Sequence, residues 1–401
     1  MKVNPEGRRG RPDFLLLILT LALVGFGLVM VFSSSSSTAA VSRTAGNDPL
    51  YYLKKQFLFA ALGTVIMLVV MNFRYQVFKR GFMLFFLPVF FMLMIVPFVA
   101  REINGARSWF NVMGFAVQPT EFAKLALILY LGTLIAKKGE RFRSFKKGLV
   151  PVIVIVGIVC GMIMLQPDLG SCLVIAACAF LMIVAGGANL RQLAASAFFG
   201  GIVLTAVGAV AFLISPTKWE YRISRFTSYQ DPLADSLGDG YQVARSLMAL
   251  GHGGFSGAGL GHGIQKVQYL PFAYNDFIFA IIGEELGFIG STLFLIVFLL
   301  FLWRGLIVAL RCPDIYGTVV GAGIVSLFAV QAFINIGGVT NAIPLTGVTL
   351  PFISYGGSSL LASLMSVGVL LSISREANRQ PASAKRATDN PLRAVGRQAN
   401  S

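Results

Sequence analysis

The chain has 401 residues, of which 56% are hydrophobic and 12% charged, with a mean hydropathy of +0.76. Ordinary soluble domains carry about 25% charged residues, so a soluble enzyme is excluded, and the continuous apolar runs exclude the alternating strands of an outer-membrane barrel. The net charge of +16 does not call for a nucleic-acid partner, because most of the basic excess sits beside span ends, where topology and anionic lipid headgroups account for it.

A membrane-spanning helix needs roughly 20 apolar residues. Taken in chain order, about ten stretches qualify: 14–33, 56–72, 82–99, 119–136, 149–165, 170–187, 193–214, 277–303, 316–338 and 358–373. Helices satisfy every backbone group internally, so the expected fold is all-α, a polytopic membrane protein. The first span follows Lys2, Arg8, Arg9 and Arg11, lacks a cleavage site and is read as retained. Of the 33 Lys and Arg residues, 22 fall in the two tails and the alternate connections 73–81, 137–148, 188–192 and 304–315. By the positive-inside rule both termini are expected in the cytoplasm. Cys160, Cys172 and Cys178 fall in apolar spans and Cys312 in a connection, which gives no disulfide framework and no zinc spacing.

The organisation expected is a basic tail over 1–13, a ten-helix membrane domain over 14–375 and a disordered tail over 376–401. A large extracytoplasmic loop, 215–276, joins helices 7 and 8. It is long for a connector and short for a domain, so function is expected there. Within it, GHGGFSGAGLGHG (251–263) reads either as a flexible loop or as backbone that approaches a ligand closely. His252 and His262 have no zinc-ligand spacing.

Ionisable residues at membrane depth are functional candidates by default. Asp276 stands directly before FIFAIIG, at the entrance of the eighth span, where low-polarity surroundings suit a carboxylate to proton uptake. A helix-capping carboxylate is the alternative. Glu284 and Glu285 lie deeper in that span, and at least one must face the interior, water or a base. Glu121 and Lys124 are three apart on the fourth helix and are expected to pair and fix its register. Asp168, after Gln166 and Pro167, is expected either to cap the sixth helix or to contribute to a cation site. Arg101 and Arg107 present planar forks suited to pyrophosphate, with interfacial anchoring as the alternative. PFISYGGSS (351–359) reads as broken or re-entrant backbone, or as a plain helix entry capped by Ser358.

These segments resemble the signatures of the SEDS family (shape, elongation, division, sporulation). The similarity is carried by NGARSW (104–109), QPTEFAK (118–124), LQPDLGS (165–171), DGYQ (239–242), YLPFAYNDFIFAIIGEELG (269–287) and PLTGVTLPFISYGGSS (344–359), in order across all ten spans. MVFSSSS near the start and DPLYYLKKQ (48–56) look more like the FtsW and SpoVE branch than the RodA branch. Tyr274 and Asn275 replace the usual His-Thr before the Asp, Ser171 replaces Thr, and Thr340-Asn341 stands where Gly is usual.

The resemblance implies a peptidoglycan glycosyltransferase that polymerises lipid II at the outer face of the bacterial cytoplasmic membrane, in cell division. Implied partners are a class B penicillin-binding protein and other divisome or elongasome membrane proteins. Transferred residue by residue, Asp276 is the expected catalytic base of an inverting reaction. Arg107, Lys124, Glu121, Gln242 and Ser358 are expected on the substrate side. A divalent cation (Mg or Mn) near Asp168 is the one cofactor considered, with no organic cofactor. The rival expectations are a lipid II flippase, whose site belongs near the midplane, and a non-catalytic scaffold for a penicillin-binding protein.

Overall fold

The computed structural model describes residues 10–100, 107–112, 115–196, 200–201, 229–230, 232, 238 and 240–378. In chain order the elements are α1 (Phe14–Val41), α2 (Tyr51–Asn72), α3 (Tyr75–Val99), β1 (Phe110–Val112), β2 (Phe115–Val117), α4 (Pro119–Lys138), α5 (Val150–Met164), α6 (Leu169–Ala185), α7 (Tyr241–Gly253), α8 (Ile278–Leu310), α9 (Ile315–Val339) and α10 (Gly357–Ala377). Among the described residues eight helices are long and apolar enough to cross a membrane, and α6 is a shorter apolar helix of 17 residues. They match nine of the ten expected spans; the expected span at 193–214 lies mostly outside the described residues. The chain is a multi-pass membrane protein. Among the described residues the one pair of strands is an antiparallel hairpin, β1 with β2, which pairs Phe110 with Val117.

The bundle is built inside out relative to a soluble protein. Its most buried helices, α4, α9 and α10, are among its less apolar ones, whereas the more hydrophobic α1, α3, α5 and α8 turn large side chains to the lipid. Lipid tails are as apolar as leucine, so small and polar side chains, not greasy ones, decide which faces meet. The α10 helix buries Ser358, Ser363, Ser366, Ser372 and Ser374. It packs most extensively on α2, where Gly368 lies under Met67 and Val70, and Gly63 under Leu364, closer than a larger residue allows. Both ends of the described chain meet at one end of the bundle. Gly10 N–H donates to Arg375 O at 3.0 Å, and Asp13, which caps α1, pairs with Arg304 of α8 at 2.8 Å.

Two irregular segments enter the bundle from the opposite end, which carries Asp276. The α8 helix breaks at Gly287 (φ 66°, ψ −166°). In an unbroken helix Phe288 N–H and Ile289 N–H would donate to the carbonyls of Glu284 and Glu285. Here they donate to Gly254 O and Phe255 O (2.9 and 3.1 Å), while the freed Glu284 and Glu285 carbonyls accept from Ala258 N–H and Gly259 N–H (2.9 and 3.0 Å). The glycine-rich segment thus replaces the missing turn bond for bond, as buried backbone in a bilayer demands. A Cβ at Gly253 or Gly257 would overlap the carbonyl of Gly283 or Glu285. The flexible-loop expectation for 251–263 is therefore corrected: the segment is bonded to α8, and Gly253, Gly257 and Gly263 are there for close contact with it.

The second irregular segment is the strap 340–356, between α9 and α10. Its Phe352 ring sits 5.3 Å from Phe301 of α8 and 5.0 Å from Phe328, halfway along α9. Its carbonyl faces Gly27 of α1 so closely that a Cβ there would overlap it. The strap therefore enters the bundle, in agreement with the re-entrant reading of 351–359.

Candidate functional site

Asp276 stands half-buried two residues before α8. Three successive carbonyls lead into that helix, and each is held by a donor from elsewhere in the chain. Tyr274 O accepts from Tyr355 N–H (2.9 Å), Asn275 O from the Ser354 hydroxyl (2.7 Å) and Asp276 O from the Asn335 amide (2.7 Å). Ser354 in turn accepts from Leu350 N–H at 2.8 Å, and the wholly buried Gln56 of α2 donates to Ser354 O and accepts from Gly356 N–H. Gly347 of the strap, at φ 73°, lies beside the Asp276 carboxylate: a Cβ built on it would be 3.5 Å from Oδ2, in van der Waals contact. A side chain there would be strained by the backbone.

Beside Asp276, Tyr52, Tyr274 and Tyr355 pack with ring centroids 4.5 to 5.8 Å apart, and the Tyr274 hydroxyl donates to that of Tyr52 at 3.1 Å. Burial pushes the Tyr355 phenol up to about 12 and also raises that of Tyr274, whose bond to Tyr52 adds to the effect. Both rings are therefore neutral hydroxyl donors around pH 7. The substitution of Tyr274 for the family's His thus adds an aromatic wall, not a charge.

The LQPDLGS segment reaches the same place from the other side. Gly170 packs against Thr346 O and Val348 of the strap at distances where a Cβ would be 2.7 Å from both. Asp168 caps α6 by accepting from Ser171 N–H at 2.9 Å, the first of its two expected roles. Among the described residues no group of three or more His, Cys, Asp or Glu side chains gathers as a metal site, so these residues do not by themselves make a cation site around Asp168.

Other expected site residues are placed differently. Glu121 and Lys124 form the buried ion pair, at 2.8 Å, with Lys124 3% exposed. Lys124 lines a small apolar cavity with Leu127, Ile128, Ile175, Cys178 and Leu327. A cation enclosed this way is engaged by its carboxylate, in agreement with the expected pairing that fixes the register of α4. Ser358 neither caps α10, whose N-cap is Gly356, nor faces open space. It accepts from Gln118 N–H (3.0 Å) and donates to Ala116 O (3.2 Å), which docks the hairpin on α10. Arg107 is exposed at the foot of the hairpin, where a guanidinium can meet an anion. Gln242 is half-buried in the first turn of α7, which packs on α8 and α9. Arg101 and Asp239 lie outside the described residues.

The deep carboxylates of α8 are fully engaged. Glu284 accepts from Ile264 N–H and Gln265 N–H (2.8 and 3.1 Å) and lies 3.0 Å from His252 Nδ1. Glu285 pairs with Lys266 and accepts from the Ser33 hydroxyl at 2.7 Å. Lys266 also donates to Ser33 at 2.9 Å. The sequence reading missed Lys266, Ser354, Gln56 and Asn335. Only Asn335 carried a signal: with Gln331 it places two amides four apart on one face of an apolar helix, where polar side chains are expected to find partners across helices.

A family model described as cell cycle protein, covering FtsW, RodA and SpoVE, matches residues 14–379. The chain belongs to the FtsW/RodA/SpoVE family. Among its relatives, stage V sporulation protein E of Bacillus subtilis is 45% identical over 92% of this chain and 98% of its own length. The probable peptidoglycan glycosyltransferase FtsW of Trichlorobacter lovleyi is 40% identical over 93% of this chain and 96% of its own. The FtsW/RodA/SpoVE fold is met again in a solved chain from a peptidoglycan synthase complex that coordinates polymerization and crosslinking (TM-score 0.70, 27% identity, 91% of this chain and 98% of that one). The rod shape determining protein RodA of Thermus thermophilus also shares it (TM-score 0.63, 26% identity, 92% and 98%). The preference for the FtsW and SpoVE branch agrees with these relatives.

Proposed function

We propose that the chain is a peptidoglycan glycosyltransferase that polymerises lipid II, with Asp276 as the general base. The supporting observation is Asp276 itself, a half-buried carboxylate on backbone held at three successive carbonyls, with Gly347 of the strap beside its Oδ2. In this reading the 4-hydroxyl of the acceptor N-acetylglucosamine attacks C1 of the donor N-acetylmuramic acid. Asp276 takes the hydroxyl proton, the bond from C1 to the pyrophosphate oxygen breaks, and undecaprenyl pyrophosphate leaves with inversion. A pyrophosphate needs charge neutralisation, not protonation, and exposed Arg107 is the cation of the site suited to it. A carboxylate base of this kind contributes about 10²- to 10⁴-fold.

The reading places the Asp276 end of the bundle outside the cytoplasmic membrane and both termini in the cytoplasm, as the distribution of Lys and Arg favours. It gives the enzyme a transpeptidase partner, a class B penicillin-binding protein, with work in division or sporulation. The flippase alternative loses its best candidates, because Glu284, Glu285 and Lys266 are buried and bonded to protein. Polymerisation of lipid II by the purified chain, with Asp276→Asn and Asp276→Ala beside it, tests the proposal. Loss of polymer in folded variants supports it; normal polymer from either one overturns the role of Asp276. The same assay with a chelator decides whether a divalent cation takes part.

A further inference from the structure

Asn335 lies four residues before the end of α9 and is 4% exposed. Its Nδ2 donates to Asp276 O and to Val348 O, both at 2.7 Å. Both acceptors are carbonyls, so the amide can present only its nitrogen to them. Its Oδ1 is buried with no hydrogen-bond partner among the described residues, a cost an apolar residue of the same shape would avoid. The two bonds therefore explain why an amide stands here. They tie together the two chain segments that border the Asp276 carboxylate: the residue's own backbone, and the strap residue next to Gly347, whose α-carbon faces Oδ2. Of the three donors on the carbonyls before α8, Asn335 is the one that comes from a membrane-spanning helix; Tyr355 and Ser354 belong to the strap itself.

We infer that Asn335 is a positioning residue for Asp276, fixing the distance between the carboxylate and the Gly347 turn of the strap. This rests on the general-base reading of Asp276 and deepens it. The amide touches neither substrate nor the reacting atoms; it acts through the two backbones it joins. A displacement of the base by about 1 Å costs on the order of 10²-fold in rate while leaving substrate affinity in place.

The test uses the full chain in detergent, with Asn335→Ala, and with Asn335→Asp, which keeps the size but cannot donate when ionised. Lipid II polymerisation is measured together with hydrogen exchange over residues 270–280 and 344–352. The expected result for folded variants is a kcat reduced about 10- to 100-fold with KM within about twofold, and faster exchange confined to those two segments. Unchanged kcat, a loss carried by KM alone, or unchanged exchange in both segments would overturn the inference. So would failure of both variants to fold, which would make Asn335 a structural residue only. Wild-type chain and Asp276→Asn run alongside. If the wild type makes no polymer the functional reading fails, and the exchange measurement still decides whether Asn335 couples the two segments.

Discussion

Asp276 stands just before α8 and Glu284 and Glu285 lie within its first turns, yet their surroundings differ. Glu284 and Glu285 are 0% and 1% exposed, and their acceptors are filled by backbone N–H groups, Lys266, Ser33 and His252. Asp276 is half-buried, the backbone around it is held at three successive carbonyls, and Gly347 faces its oxygen. Depth alone does not make an intramembrane acid a candidate for catalysis. The deep pair belongs to architecture, pinning the glycine-rich segment to the break in α8 and to α1, and the shallow one is the proposed base.

Replacing Asp276 should break the chemical half of this comparison and spare the structural half. Asp276→Asn is expected to lower polymerisation about 10²- to 10⁴-fold, with the melting temperature in detergent within a few degrees of wild type. Glu285→Ala should do the reverse. Leaving Lys266 buried without its partner is expected to cost about 3–5 kcal/mol of stability, read as a lowered melting temperature. Adding Lys266→Met should recover most of that loss, because the second change removes the uncompensated charge. A double variant no more stable than the single would show that the pair does not act as a unit.

Ser33→Ala sharpens the same point, since it removes one hydroxyl from between the two charges and leaves the ion pair. The expected loss is about 1–3 kcal/mol, the range for a hydrogen bond to a charged group, with polymerisation per folded molecule unchanged. The smallest effect belongs to a surface pair at the start of α2. Asp48 accepts from Lys54 at 2.7 Å and from Leu50 N–H at 2.9 Å, and these bonds hold its carboxyl below the usual range. A depressed folded-state value stabilises above the unfolded value of about 4, and the contribution is lost as pH falls through the lower folded value. The melting difference between wild type and Asp48→Ala should therefore be slight at pH 6, shrink below pH about 4 and weaken in high salt. A difference that grew on acidification would contradict the pairing.

Much of this protein was legible along the chain because the signals are local. A run of apolar residues reports a span wherever it occurs, and nine such runs reappear as helices with ends shifted by up to eight residues. Asp276 was legible because a carboxylate at the mouth of an apolar run is costly, and Glu121 with Lys124 because three residues bring two side chains together on one helix. The glycines of 251–263 were visible but not interpretable. Their purpose depends on Gly287, a break that leaves no mark in the hydropathy of α8.

The sequence by itself determined the solvent and the helical class and singled out Asp276 as the candidate base, since each follows from the cost of placing a given side chain in lipid. The tertiary structure alone decided which charges are spent on architecture and what holds the base in place. Those answers lie in bonds between residues 59, 79 and 252 positions apart, Asn335 to Asp276, Ser354 to Asn275 and Ser33 to Glu285. Such pairings are set by how helices pack, and packing in a bilayer is directed by small and polar contacts whose partners cannot be read until both helices are in place.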